Sequence, residues 1–276
     1  MRIIDTHLHL VYPERFAYPW LANAPAINRP WTHDAYFAEA LPLGIEGALH
    51  MEVDVAPADS AAETAFVLGL PHIIGAIAAC RPEDAAFPDQ LERLLAASRG
   101  RVKGLRRILH EVPDAVSQSA LFVENLRRLV PHGLTFDLCL RADQLHLGVR
   151  LARLVPDLTF VLDHCGNPDI NGLGLDPWRE NLRAIAALPN VVGKVSGLVN
   201  HCDPGWSADT LRPYVEHVID SFGWDRVVWG SDHPVATTTG GTLGDWVAAA
   251  RAIVAGASAD EQAALFSRNA ERFYTL

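Results

Sequence analysis

Two histidines one residue apart, His7 and His9, follow an apolar run at the start of the chain, in the stretch IIDTHLHL. Imidazole nitrogens bind metal ions and act as general acids or bases near neutral pH. Side chains two residues apart on a strand point to the same side, so both rings can act at one place. The pair alone is a weak motif, because histidines are also ordinary polar residues where a strand surfaces. The role of the pair depends on which other residues lie near it in the fold.

Two later apolar runs also stop at an ionisable residue. LTFVLDH ends at His164, and RVVWGSD ends at Asp232. Each has an ordinary explanation, because an aspartate can cap the next turn and a histidine can hydrogen-bond a backbone carbonyl. With His7 and His9 they form a group of four ionisable side chains, which can act as acid/base and hydrogen-bonding groups if the fold brings them together.

Further polar residues stand at or just beyond the ends of the apolar runs, where they can contact a substrate or support residues that do. Arg106 suits a carboxylate or vicinal hydroxyls, since a guanidinium donates in a fixed fork. Lys194 can approach a developing negative charge, although an ammonium paired to an acid inside the fold is the structural alternative. The other candidates for substrate contact are Glu52, His110, Arg141 and His201.

These residues need a framework that brings distant parts of the chain together. Eight apolar, β-prone runs recur, at 2–7, 44–52, 72–80, 102–108, 134–140, 158–164, 191–197 and 226–232. Segments with helical periodicity alternate with them, at roughly 32–41, 58–69, 88–98, 119–130, 143–154, 177–187, 208–221 and 242–255. Such alternation predicts right-handed βαβ units and a parallel sheet. Eight units in 276 residues predict an α/β fold, a single (β/α)₈ barrel domain over residues 1–276.

A doubly wound open sheet is the alternative architecture. It usually has fewer strands, and the strand-to-helix turns here contain neither G-x-G-x-x-G nor G-x-x-x-x-G-K-[ST]. In the barrel, active-site groups lie at the carboxyl ends of the strands, which is where the candidate residues fall. The long segment 11–31, rich in proline and aromatics, is a candidate lid or pocket wall, or a packed surface loop.

The composition of the chain indicates which binding partners and which cellular compartment to expect. Lys and Arg total 23 against 33 Asp and Glu, a formal charge of −10, and no basic run supports nucleic-acid binding. The four cysteines are scattered, which favours reduced thiols. We see no signal segment and no apolar stretch approaching ~18 residues. We therefore expect a cytoplasmic protein that acts on a small molecule, away from membranes, with a homodimer left open.

Six motifs, DTHLHL, KGLRRILH, VLDHCGNP, VGKVSGL, WGSDHP and NAERFY, occur in this order along nearly the whole chain. In their residues and their order, these motifs resemble those of the amidohydrolase superfamily. More narrowly, they resemble its amidohydrolase-2 lactonase group, which includes sugar-lactone hydrolases and a pyrone-dicarboxylate lactonase. The resemblance implies a (β/α)₈ barrel that hydrolyses a lactone, with Asp232 as general acid/base. It also implies site roles for His7, His9 and His164, and a substrate role for Arg106.

The chain departs from the superfamily's metal-binding pattern at two strands. Metal-binding members generally have a histidine at the end of the fifth strand and often a lysine or glutamate on the fourth, whereas this chain has LTFDLCLRAD and VKGLRRILH there. A two-metal centre is therefore not expected. One Zn²⁺ held by His7, His9, His164 and Asp232, or no metal at all, are the two remaining alternatives.

The leading functional hypothesis is a lactonase for a small sugar-acid lactone. Ester hydrolysis needs an activated water, a stabilised oxyanion and a proton for the leaving alkoxide, and Asp232 can make both proton transfers. An aromatic-derived dicarboxylate lactone is the nearest alternative, but it favours several converging guanidiniums, and only Arg106, with Arg141 second, is a candidate. A metal-dependent non-oxidative decarboxylase and a non-enzymatic sugar-acid-binding barrel are the other two hypotheses.

Overall fold

The computed structural model describes residues 1–171 and 175–276. Within them lie eight strands, β1 to β8, at Ile3–Leu8, Ile45–Met51, Ile73–Ala79, Val102–Ile108, Thr135–Cys139, Phe160–Leu162, Val191–Val195 and Val227–Trp229. The same residues form eleven α-helices, α1 to α11, at His33–Ala40, Ser60–Val67, Phe87–Ser98, Asp114–Ser117, Ala120–Arg127, Leu145–Leu154, Trp178–Ala186, Ala208–Phe222, Leu243–Ile253, Ala259–Ala263 and Asn269–Phe273. None of these helices is long and apolar enough to span a membrane.

The strands form one parallel sheet in the order of the chain, β1 to β8. Just beyond the end of β8, a parallel bridge between Leu8 and His233 joins the sheet's two edges. The predicted (β/α)₈ barrel is confirmed. The last strands are shorter than predicted, because β6 ends at Leu162 and β8 at Trp229. His164 and Asp232 consequently lie on loops just after their strands.

Two apolar layers hold the barrel together, one outside the sheet and one within it. The outer layer packs helices against strands and contains large side chains such as Phe122, Phe136 and Trp246. The inner layer fills the barrel with β-branched and other aliphatic residues, together with Tyr274 from the C-terminal end of the chain. Helices α10 and α11, which bring Tyr274 to this position, lie beyond the last helical segment predicted from the sequence. The barrel interior is therefore packed with side chains, and the predicted site residues lie toward the carboxyl ends of the strands.

The segment 11–31 packs over the carboxyl ends of the strands. Val11 pairs with Trp31 in an antiparallel bridge, and the segment contributes to an apolar cluster with Val53 and Val55. The Trp20 indole donates a hydrogen bond to the Val53 carbonyl at 2.8 Å. The carboxylate of Asp59, at the predicted start of α2, accepts from the Ala17 backbone N–H rather than from its own helix. The segment therefore forms a wall of the barrel mouth.

Candidate active site

A cavity of about 970 Å³ opens at the carboxyl ends of the strands. Seven of the predicted site residues line it, namely His9, Arg106, His110, Arg141, His164, His201 and Asp232. His7 and Glu52 are buried beside it. Segment 11–31 supplies one side of the cavity, including Trp20 and Ile27, while the loops after β6 and β7 supply Asn167 and Asn200. The fold thus gathers residues that are up to about 230 positions apart in the chain.

Two parts of this cavity, a floor and a rim, differ in burial. The floor comprises His7, His9, Arg106, Asp163, His164, Lys194 and Asp232, all of them buried. The rim comprises His110, Arg141, Asn167, Asn200 and His201, all of them partly or largely exposed.

His7 and His9 bring two ring nitrogens together at the floor. Their Nε2 atoms are 3.2 Å apart, and Asp232 Oδ1 lies 3.6 Å from that of His7 and 3.5 Å from that of His9. His9 Nδ1 lies 3.1 Å from the Met51 carbonyl, which can only accept, so Nδ1 carries the proton and Nε2 a lone pair. Burial lowers the pKa of His9 to about 4 and keeps the ring neutral, as a metal ligand must be.

These three atoms fit a cation. Two ligands of one tetrahedral zinc, each about 2.0–2.1 Å from it, lie about 3.3 Å apart, close to the separations among His7, His9 and Asp232. His7 Nδ1 is 3.4 Å from both Asp163 Oδ1 and Lys194 Nζ. With a cation at Nε2, Nδ1 would carry the proton and donate to Asp163, as in the carboxylate–histidine pairs that orient metal ligands. Gly230 makes room for His7, since a Cβ there would lie 2.7 Å from the His7 Cβ.

Asp232 is held by its backbone rather than by partners of its carboxylate. Its N–H donates to the His7 carbonyl at 2.9 Å, and its φ is 54°, a conformation uncommon for a residue with a Cβ. Among the described residues no group hydrogen-bonds its Oδ2, although that atom is buried. Burial raises the pKa of the carboxyl, although His164 and the Arg106 guanidinium oppose this shift. A buried acid that lines the cavity, with one oxygen free of hydrogen bonds, is equipped for proton transfer.

His164 reaches the floor from a left-handed turn. His164, Cys165, Gly166 and Asn167 all have positive φ, between 51° and 73°. Such strain persists only where the surroundings enforce it, and it is often found at functional sites. Gly197 is one of the enforcing neighbours, because a Cβ there would lie 2.2 Å from His164 Nδ1.

The His164 ring sits between β1 and the loop after β7. Its Nδ1 is 3.1 Å from Ser196 Oγ and 3.9 Å from Asp232 Oδ2, and its centroid is 4.5 Å from that of His7. Burial lowers its pKa to about 4. The turn therefore delivers a third neutral imidazole next to the His7, His9 and Asp232 group.

Lys194 belongs to a charge network inside the barrel, which was the structural alternative for this residue. Its Nζ bonds to Asp137 and lies 2.8 Å from Asp163 Oδ1, and all three side chains are fully buried. Burial alone would raise the pKa of Asp163, but the Lys194 ammonium and the contact with His7 lower it well below its ordinary value. Burial raises the pKa of Asp137, although Lys194 opposes this shift. Asp163 is thus kept ionised beside His7, a role that the sequence did not reveal.

Glu52 occupies most of the Arg106 guanidinium. Arg106 Nε donates to Glu52 Oε1 at 2.7 Å and Nη2 donates to the Glu52 carbonyl at 2.8 Å. Nη1 faces the floor, 3.5 Å from His7 Nε2 and 3.8 Å from Asp163 Oδ2. The structure therefore places Glu52 as a support for Arg106, and one nitrogen of Arg106 remains directed toward the site.

The other predicted substrate contacts lie on the rim and have protein partners. His110 Nδ1 is 3.4 Å from Cys139 Sγ, and Arg141 donates from Nη1 to the His110 carbonyl at 3.0 Å. Arg141 is also paired with Asp143, and its side chain is half exposed. His201 Nε2 lies 3.1 Å from Asn167 Oδ1. Asn167 had no place in the sequence prediction, although its position three residues after His164 was a signal.

The comparisons with known proteins agree with this architecture. An L-fucono-1,5-lactonase from Burkholderia multivorans is 32% identical, over 99% of this chain and 96% of its own length. An amidohydrolase structure from Burkholderia multivorans with bound zinc superimposes with a TM-score of 0.89 at 26% identity, covering 100% of both chains. A probable 2-pyrone-4,6-dicarboxylic acid hydrolase from Acinetobacter baumannii, with citric acid bound, shares the fold at a TM-score of 0.81 and 18% identity, also over 100% of both chains. The model of the family described as Amidohydrolase matches residues 4–276, and the chain belongs to that family.

Proposed function

We propose that the protein is a lactonase that opens the ring of a small sugar-acid lactone, with Asp232 as general acid/base. The observation that carries this proposal is the buried Asp232 carboxylate, whose Oδ2 has no hydrogen-bond partner among the described residues and which borders the cavity beside His7, His9 and His164. The 32% identity to an L-fucono-1,5-lactonase over nearly the full length supports the choice of substrate class.

The floor can perform each part of lactone hydrolysis. Asp232 as carboxylate takes a proton from the attacking water, and the protonated acid gives that proton to the ring oxygen that leaves as an alkoxide. The raised pKa of Asp232 suits it to hold the proton between these two steps. Arg106 Nη1, which faces the floor, places a donor beside the developing oxyanion.

His7, His9 and Asp232 would hold a divalent ion if one binds, with His164 adjacent to them. A zinc ion there would polarise the lactone carbonyl. The zinc bound in the related Burkholderia multivorans structure supports a metal role for this group. Asp163 would orient His7 toward the ion, and Asp232 Oδ2 would remain available for proton transfer.

Charge favours a sugar lactone over a dicarboxylate lactone. Glu52 already satisfies most of the Arg106 guanidinium, and Arg141 is paired with Asp143. The carboxylates of Asp54, Glu111 and Asp143 also line the cavity. A substrate with two negative charges would meet these acids with few unused cations, whereas the hydroxyls of an uncharged sugar can bond to both kinds of group. The same argument disfavours decarboxylation of an anionic aromatic acid.

Acid release from a panel of lactones tests the proposal. The panel contains L-fucono-1,5-lactone, other five- and six-membered aldonolactones, and 2-pyrone-4,6-dicarboxylate, each with and without a chelator and added Zn²⁺. We expect turnover of at least one aldonolactone at a kcat/KM at least tenfold above that for the dicarboxylate. Hydrolysis of the dicarboxylate alone would overturn the substrate class, and an inert panel would overturn lactone hydrolysis.

A further inference from the structure

One contact on the rim determines that Nε2 of a cavity-lining histidine, His201, carries a proton. Asn167 Nδ2 donates to the Leu140 carbonyl at 2.7 Å. A carbonyl can only accept, so the orientation of the Asn167 amide is determined, and its Oδ1 is the atom 3.1 Å from His201 Nε2. Because Oδ1 is also an acceptor, His201 must donate from Nε2. The proton of His201 is therefore located by a chain of contacts that begins at Leu140.

The other nitrogen of His201 is then an acceptor. Burial lowers the pKa of His201, which keeps the ring neutral with its one proton on Nε2. No group among the described residues hydrogen-bonds Nδ1, and the ring lines the same cavity as Asp232. A neutral imidazole whose Nε2–H is engaged can only accept through Nδ1.

Asn200, the neighbouring residue, adds a side-chain amide to the rim beside His201. It lines the cavity, and its Oδ1 has no hydrogen-bond partner among the residues that the structure describes. With His201 Nδ1 as an acceptor, this part of the rim can receive a hydrogen bond from a ligand that carries a donor. A hydroxyl group can donate a hydrogen bond to His201 Nδ1. The lone pairs of a carboxylate would instead repel the lone pair of that nitrogen.

We infer that His201 is a specificity-determining residue that accepts a hydrogen bond from a ring hydroxyl of the lactone, and that Asn167 is the positioning residue that makes Nδ1 the acceptor. The inference rests on the proposed lactonase activity and adds to it the residues that distinguish a hydroxylated lactone from a bare or carboxylated one. Asn167 suits the task because its φ of 51° is a conformation that asparagine tolerates better than most residues. The same turn thus carries His164 to the floor and Asn167 to the rim.

Two variants separate the acceptor from the residue that positions it. His201→Phe keeps a planar ring and removes the acceptor, and Asn167→Gly keeps the left-handed backbone and removes the amide. His132→Phe is the matched control, because His132 is an exposed histidine that precedes β5 at the opposite end of the barrel. The substrates are L-fucono-1,5-lactone and δ-valerolactone, which has the same ring size and no hydroxyl.

For His201→Phe we expect KM for the hydroxylated lactone to rise about tenfold, as for loss of one neutral hydrogen bond, with kcat within about twofold. KM for δ-valerolactone should change by less than about twofold. Asn167→Gly should raise KM for the hydroxylated lactone by about threefold, because His201 keeps its acceptor but loses its fixed tautomer and orientation. His132→Phe should change neither substrate's KM.

Equal effects on both lactones, or no effect on either, would overturn the inference while leaving the lactonase activity in place. If the wild-type protein hydrolyses no lactone, the proposed function fails, and the inference fails with it. Two-bond ¹H–¹⁵N spectra of the histidine rings give a readout independent of turnover. The His201 signals, assigned by their loss in His201→Phe, should show the Nε2–H tautomer, and the Nδ1–H tautomer would contradict the argument.

Discussion

At the floor of the cavity, ionisable side chains are buried and contact one another across the barrel, from β1 to the loop after β8. At the rim, side chains are partly or largely exposed, and each is attached mainly to its own or an adjoining loop. Buried charges are costly to leave unpaired, whereas exposed ion pairs contribute little to stability. The two regions should therefore respond very differently to similar substitutions.

The difference also separates two tasks. A fixed floor suits bond cleavage, because groups that are already oriented need no rearrangement as charge develops. A rim of loop residues suits selectivity, because it contacts the parts of the substrate that do not react. Five substitutions test this division, beginning with the largest expected effect.

Asp232→Asn should abolish most of the activity without unfolding the protein. The amide cannot take a proton from water, so kcat should fall by about 10²–10⁴, in keeping with loss of a general acid/base. Asp143→Asn, on an exposed residue that also lines the cavity, is the control and should keep kcat within a fewfold of wild type. A near-wild-type kcat for Asp232→Asn on L-fucono-1,5-lactone would rule out the assigned role.

Lys194→Met should cause the largest loss of stability. It leaves the buried carboxylates of Asp137 and Asp163 without their cation, which typically costs about 3–5 kcal/mol. The protein's other lysine, Lys103, is partly exposed and donates to the Thr275 carbonyl, so Lys103→Met should cost less than about 1 kcal/mol. Urea unfolding of both variants measures the difference. Equal losses would show that the buried network of Lys194, Asp137 and Asp163 contributes no more to stability than the contact of Lys103.

Gly197→Ala should disturb the floor through His164. The added Cβ would lie 2.2 Å from His164 Nδ1, so the ring must move, and a displaced catalytic group can cost about 10²-fold in rate. Gly205→Ala is a sharp control, because Gly205 also has a positive φ, of 90°, but no atom within 4 Å of the added Cβ. Both variants should lose about 1 kcal/mol or more from backbone strain, and only Gly197→Ala should lose activity.

The sequence was sufficient for the framework and for part of the floor. Alternating apolar runs and helical segments predicted the barrel because each strand buries both of its faces. His7, His9, His164 and Asp232 could be placed together because parallel strands align their carboxyl ends. The contacts among the ionisable residues could not be predicted. Glu52 and Arg106 are 54 positions apart, and nothing local indicates that one neutralises the other.

Local sequence patterns also did not predict the left-handed turn at residues 164–167. Glycine and asparagine at positions 166 and 167 are compatible with positive φ, but His164 and Cys165 adopt it only because neighbours enforce it. Gly197 leaves the space for His164, and the Trp178 indole donates to the Cys165 carbonyl at 2.8 Å. Roles that depend on such tertiary contacts, including that of Asn167, became visible only in the structure.

His50 provides a smaller test of burial next to the floor. Burial lowers its pKa to about 3 in the folded protein, against an ordinary value of 6.5. Below pH 6.5 the unfolded chain takes up a proton that the folded protein refuses, so this histidine lowers the free energy of unfolding as the pH falls from 6.5 toward 3, and has no such effect above 6.5. The contribution is about 1 kcal/mol per pH unit.

His50→Gln should remove this contribution, and His132→Gln, on an exposed histidine, should not. The measurement is the free energy of unfolding in urea at several pH values between 4 and 8. The wild-type curve should fall more steeply below pH 6.5 than that of His50→Gln. Parallel curves for the two proteins would mean that His50 is protonated as easily in the folded state as in the unfolded one.

Arg141→Met should have the smallest effect, although sequence reasoning made Arg141 a candidate for substrate contact. Its guanidinium is half exposed and already bonds to Asp143 and to the His110 carbonyl, so its loss should cost less than about 1 kcal/mol of stability. KM for an uncharged aldonolactone should rise by no more than a fewfold. The KM of Asp143→Asn is measured for comparison. A large rise in KM for Arg141→Met would indicate that Arg141 contacts the substrate directly.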